Sequence, residues 1–225
     1  MRARYLTLLL FYLVCLPENT AAKVTVTGSA VSHFEHGLAA HNRADLKAAE
    51  FHYARALQLD GTLVSAAINL AIVYEAWHKD ELALKFYNEA VRVSPRSFAA
   101  RYNRGQYLQK QGELAAARED YRVALEVKPD EASLYINLAA IELKLFETEL
   151  DVRLITAAEK NLRQAERLKS KSPALYFNRA RLFELHNFPA RARTAYREAM
   201  RYYPETSVEY QTCLNRAERL SRQLK

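Results

Sequence analysis

Four of the six histidines crowd into one short stretch: His33, His36, His41 and His52. Imidazole is a common metal ligand, and His33 and His36, three apart, would share a helix face and offer two nitrogens to one ion. The local string His33-Phe34-Glu35-His36 does not complete a metalloprotease spacing. The chain carries no Gly-rich phosphate loop, no Gly-x-Ser-x-Gly elbow and no Cys-x-x-Cys pair. Glu147 and Glu149 are close enough for acid–base work, but they fall at an exposed helix end where solvation accounts for them. No catalytic residue, metal site or cofactor is expected.

A second set of polar residues is spaced more regularly. Asn69, Asn103 and Asn137 are 34 residues apart, and Asn178 follows 41 later. An Asn side chain offers a donor and an acceptor, which match the two groups of a peptide bond. A row of such side chains would hold an extended backbone with little regard to its sequence, provided that the elements beneath them repeat with the same interval.

They do. Tyr53, Tyr87 and Tyr121 keep the 34-residue spacing, as do Ala49, Ala83 and Ala117, and Ala56, Ala90 and Ala124. Pro95 and Pro129 follow the second and third sets. Ala158, Leu162 and Ala165 come 41 residues on, and Ala192, Tyr196, Ala199 and Pro204 return to 34. Small residues let antiparallel helices approach closely, a large ring fills the gap between neighbouring pairs, and Pro stops the second helix. Each pair has an apolar face that only its neighbours can bury, so the repeat implies a stack. Ala, Leu, Glu, Arg and Lys dominate, with only 5 Gly and 6 Pro, which favours helix throughout.

This pattern, together with Leu70, Ala71, Tyr74, Gly105, Leu138, Ala139 and Ala180 in the first helices, resembles the tetratricopeptide repeat over residues 30–204. The resemblance implies an all-α, right-handed α-solenoid of about five helix pairs (30–63, 64–97, 98–131, 132–172 and 173–206). Residues 207–225 then form a C-terminal capping helix. Its inner stripe is Tyr210, Cys213, Leu214, Ala217, Leu220 and Leu224. Glu209, Arg216, Glu218, Arg219 and Arg222 face outward. The fourth pair is seven residues longer, between Glu142 and Ala158. Two helical turns' worth of chain would lengthen each helix by about one turn and push out the tip around residues 146–151.

The family implies a concave groove lined by first helices, where extended peptides bind. On that analogy the peptide-contacting residues are Asn69, Asn103, Asn137 and Asn178, flanked by Tyr102, Gln106, Lys110, Phe177 and Arg181, with Ile68, Ile72 and Ile136 nearby. In the same register the histidines pack against their second helix. The lysine that begins a carboxylate clamp for chaperone tails is missing, with Phe34 near its place. The expected function is an exported non-enzymatic scaffold for a protein or peptide partner, with assistance to envelope complex assembly as one such role. The alternative is a structural subunit docked through its convex face, its C-terminus or the long fourth pair, and a less favoured third reading is a metal-dependent enzyme on the histidine cluster.

Charge and targeting frame this reading. Lys and Arg number 33 against 26 Asp and Glu, a formal charge of +7. Ten basic residues against five Glu lie in residues 173–225. Most read as solvated helix faces, and no nucleic-acid module is recognisable. A basic start, an apolar run over residues 5–16 and the small residues Thr20, Ala21 and Ala22 predict a signal peptide at 1–22, with a short linker at 23–29. The run is too short to span a membrane, though an uncleaved anchor is the alternative. The exported chain would be periplasmic in a Gram-negative source and otherwise secreted. It would retain one cysteine, Cys213, and no disulfide. Val14 disfavours lipidation at Cys15.

Overall fold

The computed structural model describes residues 28–224, so the signal segment expected at 1–22 and most of the linker after it lie outside the described residues. Eleven α-helices are described: α1 (Gly28–Asn42), α2 (Leu46–Leu59), α3 (Val64–Ala76), α4 (Asp80–Val93), α5 (Phe98–Gln111), α6 (Leu114–Val127), α7 (Ala132–Glu149), α8 (Val152–Arg167), α9 (Pro173–Leu185), α10 (Pro189–Met200) and α11 (Val208–Gln223). The all-helical expectation holds. The chain divides into two compact units, one up to Asn103 and one from Arg104, with the division falling inside α5.

In the first unit α1 packs along α2, α2 on α3, and α3 along α4. Every small residue of the spacing pattern is at zero exposure: Ala49 and Ala56 on α2, Ala83 and Ala90 on α4. The side chains that need room, Tyr53 and Tyr87, fill the space those alanines leave, and both are fully buried. Gly37 shows how tight the fit is: a Cβ there would stand 2.5 Å from the Tyr53 ring.

In the second unit α7 packs along α8 and α9 along α10, while α6 lies on α7, α9 touches both α7 and α8, and α11 closes on α10. Tyr121 and Tyr196 repeat the buried ring, and Gly105 gives Tyr121 the same close approach, 2.8 Å to a notional Cβ. In the fourth pair Leu162 takes the ring's place and is buried among Ala158, Ala165, Leu143 and Leu175.

In three pairs the buried phenol also ties the two helices together through a hydroxyl bond to the residue twelve before. Tyr87 donates to Glu75 at 3.0 Å, Tyr121 to Gln109 at 2.9 Å and Tyr196 to Glu184 at 2.5 Å. In the first pair that position is His41, and the Tyr53 hydroxyl is buried with no partner among the described residues.

Each intra-pair turn needs one left-handed residue: Ala44, His78, Gly112, Leu150 and Asn187 all have positive φ. In four of the five, the following amide closes a 6→1 bond onto the first helix, such as Lys79 N to Tyr74 O at 2.9 Å.

Two expectations are corrected. The seven extra residues of the fourth pair are not shared equally. α7 has 18 residues against 14 in α5, whereas α8 has 16 against 14 in α6. The end points are set locally: Leu150, in the left-handed region, ends α7, and the Asp151 carboxylate caps α8 by accepting from the Arg153 amide at 2.9 Å.

On α11 the inward stripe is Cys213, Ala217 and Leu220, with Leu224 left exposed. Arg216, expected to face outward, instead reaches in: Glu184 lies 2.8 Å and the Tyr196 hydroxyl 3.1 Å from its guanidinium. Arg219 also donates to Glu184, so one carboxylate anchors the terminal helix. Burial pushes the Cys213 thiol up to about 11, as for a buried apolar side chain.

Candidate functional site

The four asparagines occupy the sixth position of α3, α5, α7 and α9, and the structure gives them two different environments. Asn103 is buried, and its amide donates to the Ala99 carbonyl of its own helix at 2.8 Å. Asn178 is buried as well, and its amide points at the Ile136 carbonyl of α7, 3.4 Å away. Asn69 and Asn137 are half-buried and make no hydrogen bond among the described residues. In the second unit the Asn178 bond lands one residue from Asn137, so these two side chains sit on adjacent helices. A buried, anchored amide therefore stands beside one whose donor and acceptor are both unspent.

The flanking residues differ in availability. Tyr102 stacks on Phe98 with ring centroids 5.5 Å apart, Gln106 is half-buried and Lys110 is exposed at the end of α5. Phe177 sits edge-on to Tyr196, 5.6 Å between centroids, with the Arg216 guanidinium 6.0 Å from its ring, so it belongs largely to the packing under α11. Arg181 donates to Glu147 at 2.5 Å, so that carboxylate is not merely solvated and instead joins the extended end of α7 to α9. Two charges cancel on this surface, and Glu147 is held below the usual carboxylate range by Lys144 and Arg181. Ile68 and Ile136 are core residues, and Ile72 is half-buried.

The histidines pack as their register implies. His33 and His36 both reach His52 on α2: the His33 and His52 Nδ1 atoms are 3.1 Å apart, and the His36 and His52 rings have centroids 5.3 Å apart. Burial, then the charges of His36 and His33, lowers the His52 pKa, and burial alone lowers that of His41. Among the described residues no three His, Cys, Asp or Glu side chains are arranged to hold a metal ion.

Two polar features were not anticipated. Arg104 and Asp120 form a two-pronged ion pair between α5 and α6, with both bonds 2.7 Å and Asp120 at 1% exposure. The same two positions in the preceding pair hold Leu70 and Phe86. Further along the second unit, Glu142 on α7 is buried where the other first helices place Tyr74, Leu108 and Phe183. Asn161 donates to both of its oxygens, at 3.1 and 2.9 Å. Burial pushes the Glu142 carboxyl up to about 7, against smaller opposing pulls from Asn161 and the Arg118 charge. Set against the second pair, which is apolar at Leu70, Tyr74 and Phe86, these positions stand out as polar, but the spacing does not say which residue partners which.

Comparison with known proteins fits this architecture. The family described as tetratricopeptide repeat matches residues 98–131, the α5–α6 pair. Human protein O-mannosyl-transferase TMTC3 is 29% identical over 164 residues, covering 71% of this chain and 17% of that protein. Stress-induced-phosphoprotein 1 of Caenorhabditis elegans is 26% identical over 189 residues, covering 82% and 55%. The chain thus spans about half the length, or less, of these curated relatives. Among solved structures, pilF of Pseudomonas aeruginosa superposes with a TM-score of 0.68 at 19% identity, covering 88% of this chain and 90% of that one. YrrB, described as a TPR protein with an unusual peptide-binding site, gives 0.64 at 15% identity, covering 81% and 91%. At such identities the likeness establishes the fold, an all-α tetratricopeptide solenoid.

Proposed function

We propose that this tetratricopeptide-repeat chain is a non-enzymatic scaffold whose first helices hold an extended segment of a partner protein. The observation that carries the reading is the asparagine register, in which Asn69 and Asn137 keep their donor and acceptor free. Asn178, anchored to α7, fixes the surface next to Asn137. An unspent amide half-exposed on a helix face can bond the N–H and C=O of a passing peptide, which gives affinity without strong sequence preference. YrrB, of the same fold, is described as a peptide binder, and that supports the reading by analogy only.

The test is a panel of immobilised twelve-residue peptides of varied sequence, probed with the parent chain and with Asn69→Ala/Asn137→Ala. Each Ala removes the donor and the acceptor of one unit's amide, and losing two such bonds should weaken retention about tenfold across many sequences. Asn103→Ala, whose amide is spent on Ala99, should do much less. Equal retention by the double variant would overturn the assignment.

We further propose that residues 1–22 direct export, a reading supported by the basic start, the apolar run and the small residues after it. Secreted or periplasmic material should then begin near Ala22 or Lys23 when its amino terminus is sequenced. Recovery of only the full-length chain from the cytosol would count against it.

A further inference from the structure

In the second unit a trough runs beside α7 and another beside α9, and the two differ in chemistry. The one between α6, α7 and α8 has a volume of about 720 Å³ and the next, around α9 and α10, about 620 Å³. They are the same site one repeat apart: Tyr135 in the first corresponds to Tyr176 in the second, and Glu142 to Phe183. In the second pair of the chain that position is filled by Tyr74 stacked on Phe86, 5.6 Å between centroids. Glu142 and Asn161 replace such a ring pair with two smaller polar groups, so the floor of the α6–α8 trough is open and polar.

Its walls are basic. Lys160, Arg163 and Arg167 form one stripe on α8 at i, i+3 and i+7, and Arg122 faces them from α6. Arg122 and Arg163 each bond a glutamate of their own helix, Glu119 at 3.2 Å and Glu159 at 2.9 Å. Lys160 and Arg167 have no partner among the described residues. The α8 stripe spans about 10 Å, since each residue rises ~1.5 Å. Alternate side chains of an extended strand repeat at ~6.6 Å, so two or three carboxylates would lie within reach of these cations. Between the cations the lining is apolar, with Leu125, Leu138 and the face of Tyr135. A bare phosphate has no use for that surface, whereas a peptide with alternating acidic and apolar residues uses both.

We infer that the trough between α6, α7 and α8 is a second binding site, one that takes an acidic, amphipathic peptide segment of a partner protein. Tyr135, Leu138 and Glu142 share one stripe of α7, and Asn137 lies about 100° or more around the helix from each of them. The site is therefore separate from the asparagine surface and does not rest on it.

The test uses the full chain and a fluorescein-labelled ten-residue peptide alternating Glu and Leu, with Gln/Leu and Lys/Leu peptides as controls, read by anisotropy. Lys160→Glu/Arg167→Glu removes the two unpartnered cations without breaking an internal ion pair, and circular dichroism checks that it stays folded. The Glu/Leu peptide should bind the double variant at least tenfold more weakly than the parent. Arg191→Glu in the neighbouring trough, and Asn137→Ala, should each change its affinity less than twofold. Undiminished binding to the double variant would overturn the proposal. So would equal binding of the Gln/Leu peptide, competition by millimolar inorganic phosphate, or a preference for phosphatidylserine vesicles over the peptide.

Discussion

Asp120→Ala is expected to destabilise the second unit by about 3 kcal/mol. Removing one member of a buried ion pair strips the other charge of a two-pronged partner, which typically costs about 3 to 5 kcal/mol. The lower end applies because the Arg104 side chain keeps 20% exposure and can draw on water. The loss should appear as a lower urea midpoint and as faster amide exchange in α5 and α6, where both partners sit. The repeat itself supplies the control: the preceding pair holds Leu70 at the position of Arg104. Arg104→Leu combined with Asp120→Ala should therefore recover at least half of the lost stability, because neither member of the pair is then buried without the other. A double variant as unstable as the sum of its singles would mean that the pair is not the source of the effect.

Glu142→Gln should have the opposite sign. In the folded chain this carboxyl holds its proton up to about pH 7, whereas once unfolded it ionises near the ordinary value of 4.5. Between those values the folded state binds more protons. The stability contributed by this site is fully present below the lower value and is lost as the pH rises through about 7. The loss is on the order of 3.5 kcal/mol, since each pKa unit between 4.5 and about 7 is worth about 1.4 kcal/mol. Gln cannot ionise, and its carbonyl still accepts from Asn161, although Arg118 loses a nearby negative charge. The variant should match the parent near pH 4.5 and exceed it by about 3 kcal/mol at pH 8, the lost attraction to Arg118 offsetting the remainder. All other groups are common to both proteins and cancel in the difference. Urea unfolding from pH 4.5 to 8 reads it directly, and parallel curves would show that Glu142 is not buried as described.

The fold was legible because its cause is local and periodic. Ala83, Tyr87, Ala90 and Pro95 announce one second helix, and the same types at the same intervals announce the next. The site was legible only as a row of positions. Whether an asparagine is spent on its own helix, as Asn103 is on Ala99, depends on a rotamer that no spacing records. Arg104 and Asp120 lie sixteen residues apart, and Glu142 and Asn161 nineteen. Neither separation is a helical period, so each pair becomes visible only when the two helices are folded against each other. Arg216 misled for a related reason: on α11 alone it falls on the polar face, and only the Glu184 carboxylate of α9 explains why it turns inward.

The reading of the first-helix surface rests on asparagine amides bonding a peptide backbone, and one measurement addresses that bond itself. A peptide retained on the panel is remade with its alternate backbone nitrogens methylated, which deletes N–H donors and keeps every side chain. Its affinity for the parent chain should fall at least tenfold, and for Asn69→Ala/Asn137→Ala by less than threefold, because the acceptors it would have met are already gone. Equal affinity of the methylated and unmodified peptides for the parent chain would contradict the account.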